Sequence, residues 1–211
     1  MDKLSNEIIF IGYSGHAYTV IDVAQKANFE PKSYFDLIEN KLNPFHLTYL
    51  GNERAFDFSK FKSIVFPAIG DNRLRMKIHQ FIQENKLNEC NLIHPNTTLG
   101  FDVSIGLSTI IAAGVIINPL GKIGVGCILN TGCILDHEAT IENYVHIGPG
   151  ATLAGNVTIG EGTFIGANST IIQGITIGKN CIIGAGSVVL KNVDDNTVMV
   201  GNPAKFLKRN D

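Results

Sequence analysis

The sequence predicts two structural units: a small α/β unit with a Rossmann-like βαβαβ order over residues 1–94, and a parallel β-helix over 95–200. A capping tail over 201–211 is expected to cover the last coil. The main evidence is an aliphatic residue that returns every six positions from Leu99 to Val189, through fifteen steps without a slip. Upstream of this repeat, short apolar runs alternate with helical patterns. Glycine makes up 22 of 211 residues and Trp is absent, which suits a narrow coil with many tight corners.

Composition excludes several classes of protein. A formal net charge of −2 argues against a nucleic-acid partner, which needs a strongly basic surface. No apolar stretch approaches ~18 residues, and no basic segment precedes a long apolar run at the N-terminus. We therefore predict neither a membrane span nor a signal peptide. The four cysteines show no CxxC spacing, so we expect a reduced, cytoplasmic protein.

The elements of the α/β unit follow from its apolar periodicity, and Pro95 is a natural boundary after them. We expect strands at 7–11, 32–36, 64–68 and 90–93, with helices at 17–27 and 70–84. Gly12 and Gly15 follow the first strand and favour a phosphate-binding turn, although the full GxGxxG pattern is lacking. A second loop, which begins at Gly70, follows a later strand. Ligands bind outside the carboxyl ends of parallel strands, so the two loops together predict a binding site.

The β-helix follows from the repeat itself. A small residue two positions before each aliphatic residue shares its inward face, and three such strands close a coil of about 18 residues. Cys127, Cys133 and Cys181 occupy the small inward position, so we expect buried apolar residues rather than metal ligands. Three positions after each aliphatic residue comes a corner that favours a left-handed backbone. Twelve of the sixteen corner residues are Gly, Asn or Asp.

The pattern fails within residues 130–155. Glu138 and Tyr144 occupy two consecutive corners, and His137 and His146 are the only histidines of the repeat. The glycine that often follows the aliphatic residue is replaced nearby at three positions, Asn130, Asp136 and Glu142. Because local departures from a rule are expected at functional sites, we interpret this stretch as the site.

Coil geometry separates the two histidines. His137 lies on a corner, whereas His146 points outward from a flat face half a coil away. We therefore predict a homotrimer with active sites between subunits, each site taking His137 from one chain and His146 from the next. One coil beyond His137 is Gly155, whose bare N–H is suited to stabilise an oxyanion beside a general base. Gln173 and Lys191 follow at further steps of eighteen residues, so these positions stack in one column along the β-helix. We expect this column to be a track for an elongated cofactor.

Several segments in combination resemble one family. They are 12–16, 68–73, 129–131, 136–138, 154–157 and 201–205, together with His146. The chain is similar to the left-handed β-helix acyltransferases of the hexapeptide-repeat class, and within them to the nucleotide-sugar N-acetyltransferases that are grouped with sialic acid O-acetyltransferases. The resemblance covers nearly the whole chain. It implies acetyl-CoA-dependent acetylation of the 4-amino group of a nucleotide-linked 4-amino-4,6-dideoxy sugar, in cell-surface polysaccharide biosynthesis and without a metal.

The resemblance also implies roles for individual residues. The catalytic set is His137, Glu138, His146, Asn130 and Gly155. The acetyl-CoA set is Gly155, Gln173, Ala185, Lys191, Pro203 and Lys205. The nucleotide-sugar set is Gly12, Ser14, Gly15, His16, Asp36, Gly70, Asn72 and Arg73. Leu37 follows Asp36 where relatives often have a second acidic residue, so UDP-, dTDP- and GDP-linked sugars all stay open.

Three other functions are compatible with parts of this sequence to different degrees. O-acetylation of a sialic acid-type sugar needs the same base and oxyanion donor, so the repeat does not separate it from N-acetylation. A β-helix carbonic anhydrase needs three histidines on zinc, and the repeat has two. A non-catalytic binding module would not need His137, Glu138 and Gly155 together.

Overall fold

The computed structural model describes residues 6–59 and 61–210, and it confirms an α/β unit followed by a left-handed parallel β-helix. The α/β unit comprises β1 (Glu7–Ile11), α1 (Gly15–Lys26), β2 (Glu30–Phe35), β3 (Thr48–Tyr49), a 3₁₀ turn (Glu53–Ala55), β4 (Ile64–Pro67) and α2 (Asn72–Glu84). The four strands form a parallel sheet in the order β3-β2-β1-β4. Neither β3 nor the 3₁₀ turn is predicted by the sequence, because two or three residues are too few to show periodicity.

The strand expected at 90–93 does not complete this sheet. In the described part of the chain, the segment after α2 makes one bridge to this sheet, between Asn88 and Ile64. The following strand, β5 (Leu92–Ile93), pairs instead with β8 (Ile110–Ile111) of the β-helix. Ile93 lies six residues before Leu99, so the aliphatic repeat begins one step earlier than predicted.

The β-helix is built from two-residue strands that recur every six residues. Besides β5 and β8 they are β6 (Thr98–Leu99), β7 (Ser104–Ile105), β9 (Ile116–Ile117), β10 (Lys122–Ile123), β11 (Ile128–Leu129), β12 (Ile134–Leu135), β13 (Thr140–Ile141), β14 (His146–Ile147), β15 (Thr152–Leu153), β16 (Thr158–Ile159), β17 (Phe164–Ile165), β18 (Thr170–Ile171), β19 (Thr176–Ile177), β20 (Ile182–Ile183) and β21 (Val188–Val189). Each pairs in parallel with the strand eighteen residues away, as Ile128 does with His146.

These strands form the three faces of a prism. The docking face contains β5, β8, β11, β14, β17 and β20, and is extended by β22 (Thr197–Val200) and β23 (Lys205–Arg209). The six-stranded face contains β6, β9, β12, β15, β18 and β21, and the five-stranded face contains β7, β10, β13, β16 and β19. The last two strands of the chain pair with each other in antiparallel fashion, which ends the parallel repeat.

The predicted corners are confirmed at fifteen positions. Every corner from Asp102 to Gly186 has a positive φ, including the unfavourable residues Ser108, Leu120, Glu138 and Tyr144. The sixteenth prediction, Asn192, is wrong: a positive φ occurs at Asn196 instead, because the six-residue register ends before β22.

The interior of the prism is largely apolar, with four buried hydroxyl residues at Thr109, Thr163, Ser169 and Ser187. Cys127, Cys133 and Cys181 are buried there as free thiols, and burial raises the pKa of Cys127 to about 11. In the part of the chain that the structure describes, no group of three His, Cys, Asp or Glu side chains is arranged to hold a metal ion. Among the same residues, no helix is long and apolar enough to cross a membrane.

The α/β unit packs on the docking face. Outward-facing Ile110 and Ile128 of that face are buried in one cluster with Phe10, Ala17 and Ile21 of the α/β unit. Helix α1 supplies this contact through apolar residues at helical spacing, whereas α2 presents a less usual inward stripe: Arg75, Ile78, His79 and Ile82. An arginine and a histidine on the buried stripe of a helix require polar partners, and the β-helix provides them.

Candidate active site

A cavity of about 610 Å³ lies at the carboxyl ends of the α/β strands. Its walls include five of the residues expected to bind a nucleotide sugar: Gly12, Ser14, His16, Asp36 and Gly70. The two glycine loops thus meet at one sheet edge. Gly12 has a φ of +94°, and a Cβ there would lie 2.8 Å from Cγ1 of Ile69, so only glycine lets the loops approach this closely.

The N-terminus of α1 opens on this cavity. Ser14 is the N-cap of the helix, yet its side chain makes no capping hydrogen bond. The helix begins at Gly15, so the unpaired N–H groups of its first turn are available to an anion. Asp36 is held at the adjacent strand end, where its carboxylate accepts the N–H groups of Tyr13 (2.9 Å) and Leu37 (2.7 Å).

His146 joins this cavity to the β-helix. It projects from the docking face toward the α/β unit, with its ring centroid 6.0 Å from that of His16 and 5.0 Å from that of Phe164. Its Nε2 lies 3.4 Å from Nδ2 of Asn130. Among the described residues, its buried Nδ1 has no hydrogen-bond partner. A buried polar atom without a partner is costly in a structural role, and is expected where a ligand completes the site.

Both histidines of this pair are held in the neutral form. Burial, and next the positive charge of Arg75, lower the pKa of His146 to about 3. The same two causes lower the pKa of His16 to about 4. The Gly70 carbonyl opposes the shift at His146 without making a hydrogen bond of normal geometry to Nδ1.

Arg75 is a buried clamp between the two units, and no carboxylate pairs with it among the described residues. Its guanidinium donates to the carbonyls of Ile69 (3.1 Å) and Gly70 (3.0 Å) on the cavity side. It also donates to the carbonyls of Gly126 (2.7 Å) and Tyr144 (3.0 Å) on the β-helix. The Gly70 loop is therefore tied directly to two corners of the coil.

Asn72 continues this clamp. Its Oδ1 accepts from Nη2 of Arg75 (2.7 Å), and its Nδ2 donates to the carbonyls of Gly162 (2.9 Å) and Thr163 (3.2 Å). The amide expected to contact a nucleotide sugar is thus engaged within the protein. Arg73 and Asn72 line a second cavity of about 430 Å³, together with Phe164 and Ile182 of the docking face.

A buried polar network lies beside the clamp and changes the interpretation of Tyr144. His79 contacts Tyr144 Oη through Nδ1 (2.8 Å) and Glu89 through Nε2 (2.7 Å), and Ser108 Oγ donates to the same Glu89 oxygen (2.6 Å). Tyr144 and Ser108 are therefore corner residues that dock the α/β unit. The departure of Tyr144 from the corner pattern thus has a structural explanation in this docking contact.

His137 lies at a separate place, on the corner between β12 and β13. The backbone N–H of His137 donates to Asp136 (2.8 Å), while its ring Nδ1 lies 3.0 Å from Oε2 of Glu138. The positive φ of Glu138, +61°, turns its side chain back onto the preceding residue. Of the two acidic neighbours, Glu138 therefore orients the ring, and Asp136 fixes the backbone.

Gly155 lies directly against the His137 ring. A Cβ at this glycine would be 2.5 Å from both Cε1 and Nε2 of the imidazole. At Asn130 and Asp136, side chains accept the N–H of the next residue. The residue before Gly155 is Ala154, which has no such acceptor. The Gly155 N–H is thus not capped by its neighbour, as an oxyanion donor requires.

The expected acetyl-CoA residues divide between different parts of the surface. Gln173 and Lys191 continue the His137 column at eighteen-residue steps and are exposed. Ala185 lies on another corner, between the docking and six-stranded faces. Pro203 and Lys205 belong to the final hairpin, which extends the docking face.

Within one chain, His137 and His146 are far apart around the prism. His137 is at the vertex where the six-stranded and five-stranded faces meet, and this vertex is opposite the docking face. The cavity, His16 and His146 all lie on the docking side. Within the single chain, the two groups of predicted site residues therefore do not face each other.

Comparisons with known proteins agree with this architecture. Residues 7–82 match the PglD N-terminal domain model, and residues 156–191 match the bacterial transferase hexapeptide model. A variant of perosamine N-acetyltransferase from Caulobacter crescentus, in complex with CoA and GDP-perosamine, is 32% identical with a TM-score of 0.92. The alignment covers 96% of this chain and 97% of that one.

Two further solved structures resemble the whole chain. The acetyltransferase domain of PglB from Neisseria gonorrhoeae, in complex with acetyl coenzyme A, is 27% identical with a TM-score of 0.89, covering 96% of this chain and 100% of that one. WeeI from Acinetobacter baumannii is 25% identical with a TM-score of 0.87, covering 95% and 99%. The chain belongs to the hexapeptide-repeat nucleotide-sugar acetyltransferases, which are acetyl-CoA-dependent acyltransferases.

Proposed function

We propose that the enzyme transfers the acetyl group of acetyl-CoA to the 4-amino group of a nucleotide-linked 4-amino-4,6-dideoxy sugar. The observation that carries this proposal is the contact of His137 with both Glu138 and Gly155, which combines a base and an oxyanion donor. The cavity beside α1 supports a nucleotide diphosphate, since it offers an uncapped helix N-terminus. The relative from Caulobacter crescentus, crystallised with GDP-perosamine, supports an amino sugar.

His137 acts as the general base in this proposal. Its Nδ1–H donates to Glu138, which leaves the Nε2 lone pair free. Nε2 removes a proton from the sugar amine as the nitrogen attacks the thioester carbonyl. The new C–N bond forms, the C–S bond breaks, and the CoA thiolate takes up the proton. The Gly155 N–H stabilises the negative charge that develops on the carbonyl oxygen.

The substrates meet between subunits in this proposal. His137 of one chain would face the cavity side of a neighbour, where the neutral rings of His146 and His16 position the sugar. A closed trimer repeats this contact three times. Gln173 and Lys191 would then follow the CoA chain along the same cleft. The trimer and a cytoplasmic location are part of the proposal.

The test is release of free thiol from acetyl-CoA with a panel of nucleotide-linked amino sugars and sialic acid-type sugars. We expect activity with a 4-amino sugar, and kcat reduced about 10²–10⁴-fold in His137→Ala with nucleotide-sugar binding retained. His46→Asn is the matched control, because it also replaces an exposed histidine but lies far from His137 in the sequence. An unchanged kcat in His137→Ala would overturn the assignment, and turnover of sialic acid-type sugars alone would identify an O-acetyltransferase.

Mixing two inactive variants tests the shared site. His137→Ala and His146→Ala each disable one half-site, so subunit exchange should restore about one quarter of the wild-type activity if sites lie between chains. Activity that stays at the level of the single variants would show that each chain acts alone. Light scattering of the wild type gives the number of subunits.

A further inference from the structure

The cavity of the α/β unit contains a carboxylate that the proposed function does not use. The Glu53 side chain lines this cavity and is only 8% exposed. Its charged neighbour is Arg54, whose Nε lies 3.7 Å from Oε1, beyond hydrogen-bond length. Over residues 6–59 and 61–210, the Glu53 carboxylate accepts no hydrogen bond. The carboxylate oxygens therefore face the open cavity, where a ligand with N–H donors can pair with them.

The strand order places Glu53 at one end of the site. Across the sheet edge, in the order β3-β2-β1-β4, the strands are followed by Glu53, Asp36, Ser14 and Gly70. The helix N-terminus at Ser14 suits the diphosphate, and Asp36 after the next strand suits the ribose hydroxyls. Glu53 follows the strand beyond that. Two strand spacings make about 10 Å, which matches the distance from a diphosphate to the far edge of its base.

The opposite end of this sheet edge, at Gly70, lies beside the histidines that are proposed to position the sugar. Gly70 packs against His16, where a Cβ on the glycine would be 3.5 Å from the histidine Cβ, and His16 adjoins His146. A nucleotide sugar laid along the sheet edge therefore directs its sugar toward the histidines and its base toward Glu53. Ile11, Leu74 and Ile78 supply apolar surface in the same cavity.

We propose that Glu53 reads the base of the nucleotide sugar and that this base is guanine. The inference rests on the proposed function. A carboxylate offers two acceptors and no donor. Guanine presents N1–H and N2–H₂ side by side, which pair with both carboxylate oxygens. Uracil and thymine present one N3–H between two carbonyl oxygens, which the carboxylate repels. Glu53 thus selects guanine by attraction and rejects the pyrimidines by repulsion.

The experiment is calorimetric binding of GDP, IDP, UDP and dTDP to the full-length protein. IDP differs from GDP only by the loss of the N2 amino group, so the pair isolates one hydrogen bond. We expect the wild type to bind GDP about 10–100-fold more tightly than UDP or dTDP, and about tenfold more tightly than IDP. Glu53→Gln should lose the GDP-over-IDP preference, while Glu30→Gln, at the amino end of the same sheet, should keep it.

The outcomes separate this inference from the proposed function. Equal affinity of the wild type for GDP and UDP, or an unchanged preference in Glu53→Gln, overturns the role of Glu53. The wild-type comparison of GDP with IDP stands even if Glu53→Gln fails to fold, and equal affinities there overturn the bidentate contact. Failure of every nucleoside diphosphate to bind would instead overturn the proposed nucleotide-sugar substrate.

Discussion

The imidazole of His137 and the Cα of Gly155 are in direct contact across one coil of the β-helix, with no room for a side chain between them. The eighteen-residue pairing of the strands sets this contact, since Asn156 N–H also donates to the His137 carbonyl (2.8 Å). The backbone of the coil therefore positions the proposed base against the proposed oxyanion donor.

The contact predicts the effect of Gly155→Ala. The added methyl group must displace the His137 ring, so we expect a loss of about 1–3 kcal/mol in the free energy of unfolding and a fall in kcat. In a His137→Ala background the obstacle is gone, and the same substitution should cost little stability. Urea denaturation of the four proteins measures this cycle. Equal costs in both backgrounds would show that the ring is not what the methyl group meets.

The neutral histidines predict a pH dependence of stability. The folded protein holds the pKa of His146 at about 3 and that of His16 at about 4, below the ordinary 6.5. The unfolded chain binds protons first, so this stability is complete above pH 6.5 and is lost as pH falls toward 4. At about pH 5 the loss is at most about 2 kcal/mol for each ring.

Denaturation between about pH 7.5 and pH 5 tests this dependence. His146→Asn should have a shallower slope than the wild type, because one of the two buried rings is removed. His46→Asn replaces an exposed histidine with a residue that suits its positive φ, and it should leave the slope unchanged. Identical slopes in all three proteins would contradict the prediction.

The Arg75 clamp predicts that lysine is a poor replacement. An ammonium cannot reach four carbonyls and the Asn72 amide at once, so Arg75→Lys should lower the free energy of unfolding by about 2–4 kcal/mol. It should also raise KM for the nucleotide sugar, since the Gly70 loop is no longer held. Arg73→Lys, at an exposed neighbour, serves as the stability control. Equal stability of the two variants would rule out the clamp.

Substitution of Tyr144 distinguishes a role in docking the α/β unit from a role in catalysis. Tyr144→Phe leaves His79 and its carboxylate partner in place but removes the hydroxyl from the buried network, so we expect a loss of about 1–3 kcal/mol in stability. The value of kcat should stay within about threefold of the wild type, because Tyr144 is not near His137 in the same chain. Assays of both quantities at one pH decide the point. A large fall in kcat with unchanged stability would instead indicate a catalytic role for Tyr144.

The sequence predicts the β-helix well because one steric requirement, a left-handed backbone at a corner, recurs every six residues. The same regularity made His137, Glu138 and Gly155 identifiable by position. It did not distinguish two reasons for departing from the corner pattern, the proposed catalytic role of Glu138 and the docking contact of Tyr144. The reason depends on the vertex of the prism: Tyr144 lies at an edge of the docking face, whereas Glu138 lies at the vertex opposite that face.

The α/β unit was harder to predict in detail. The inward stripe of α2 carries Arg75 and His79, which an apolar pattern does not reveal. Glu53 lies in a three-residue turn with no periodicity. Its position became visible only through the strand order, because β3 pairs beside β2 after a loop.

The eighteen-residue pairing also sets how this chain can change in length. One added residue between Leu99 and Val189 would shift every later side chain by one position around the coil and turn aliphatic residues outward. It would also separate His137 from Gly155 if it fell between them. Natural insertions and deletions are therefore expected to concentrate in the loops of the α/β unit and in the hairpin after Val189, where the columns have already ended.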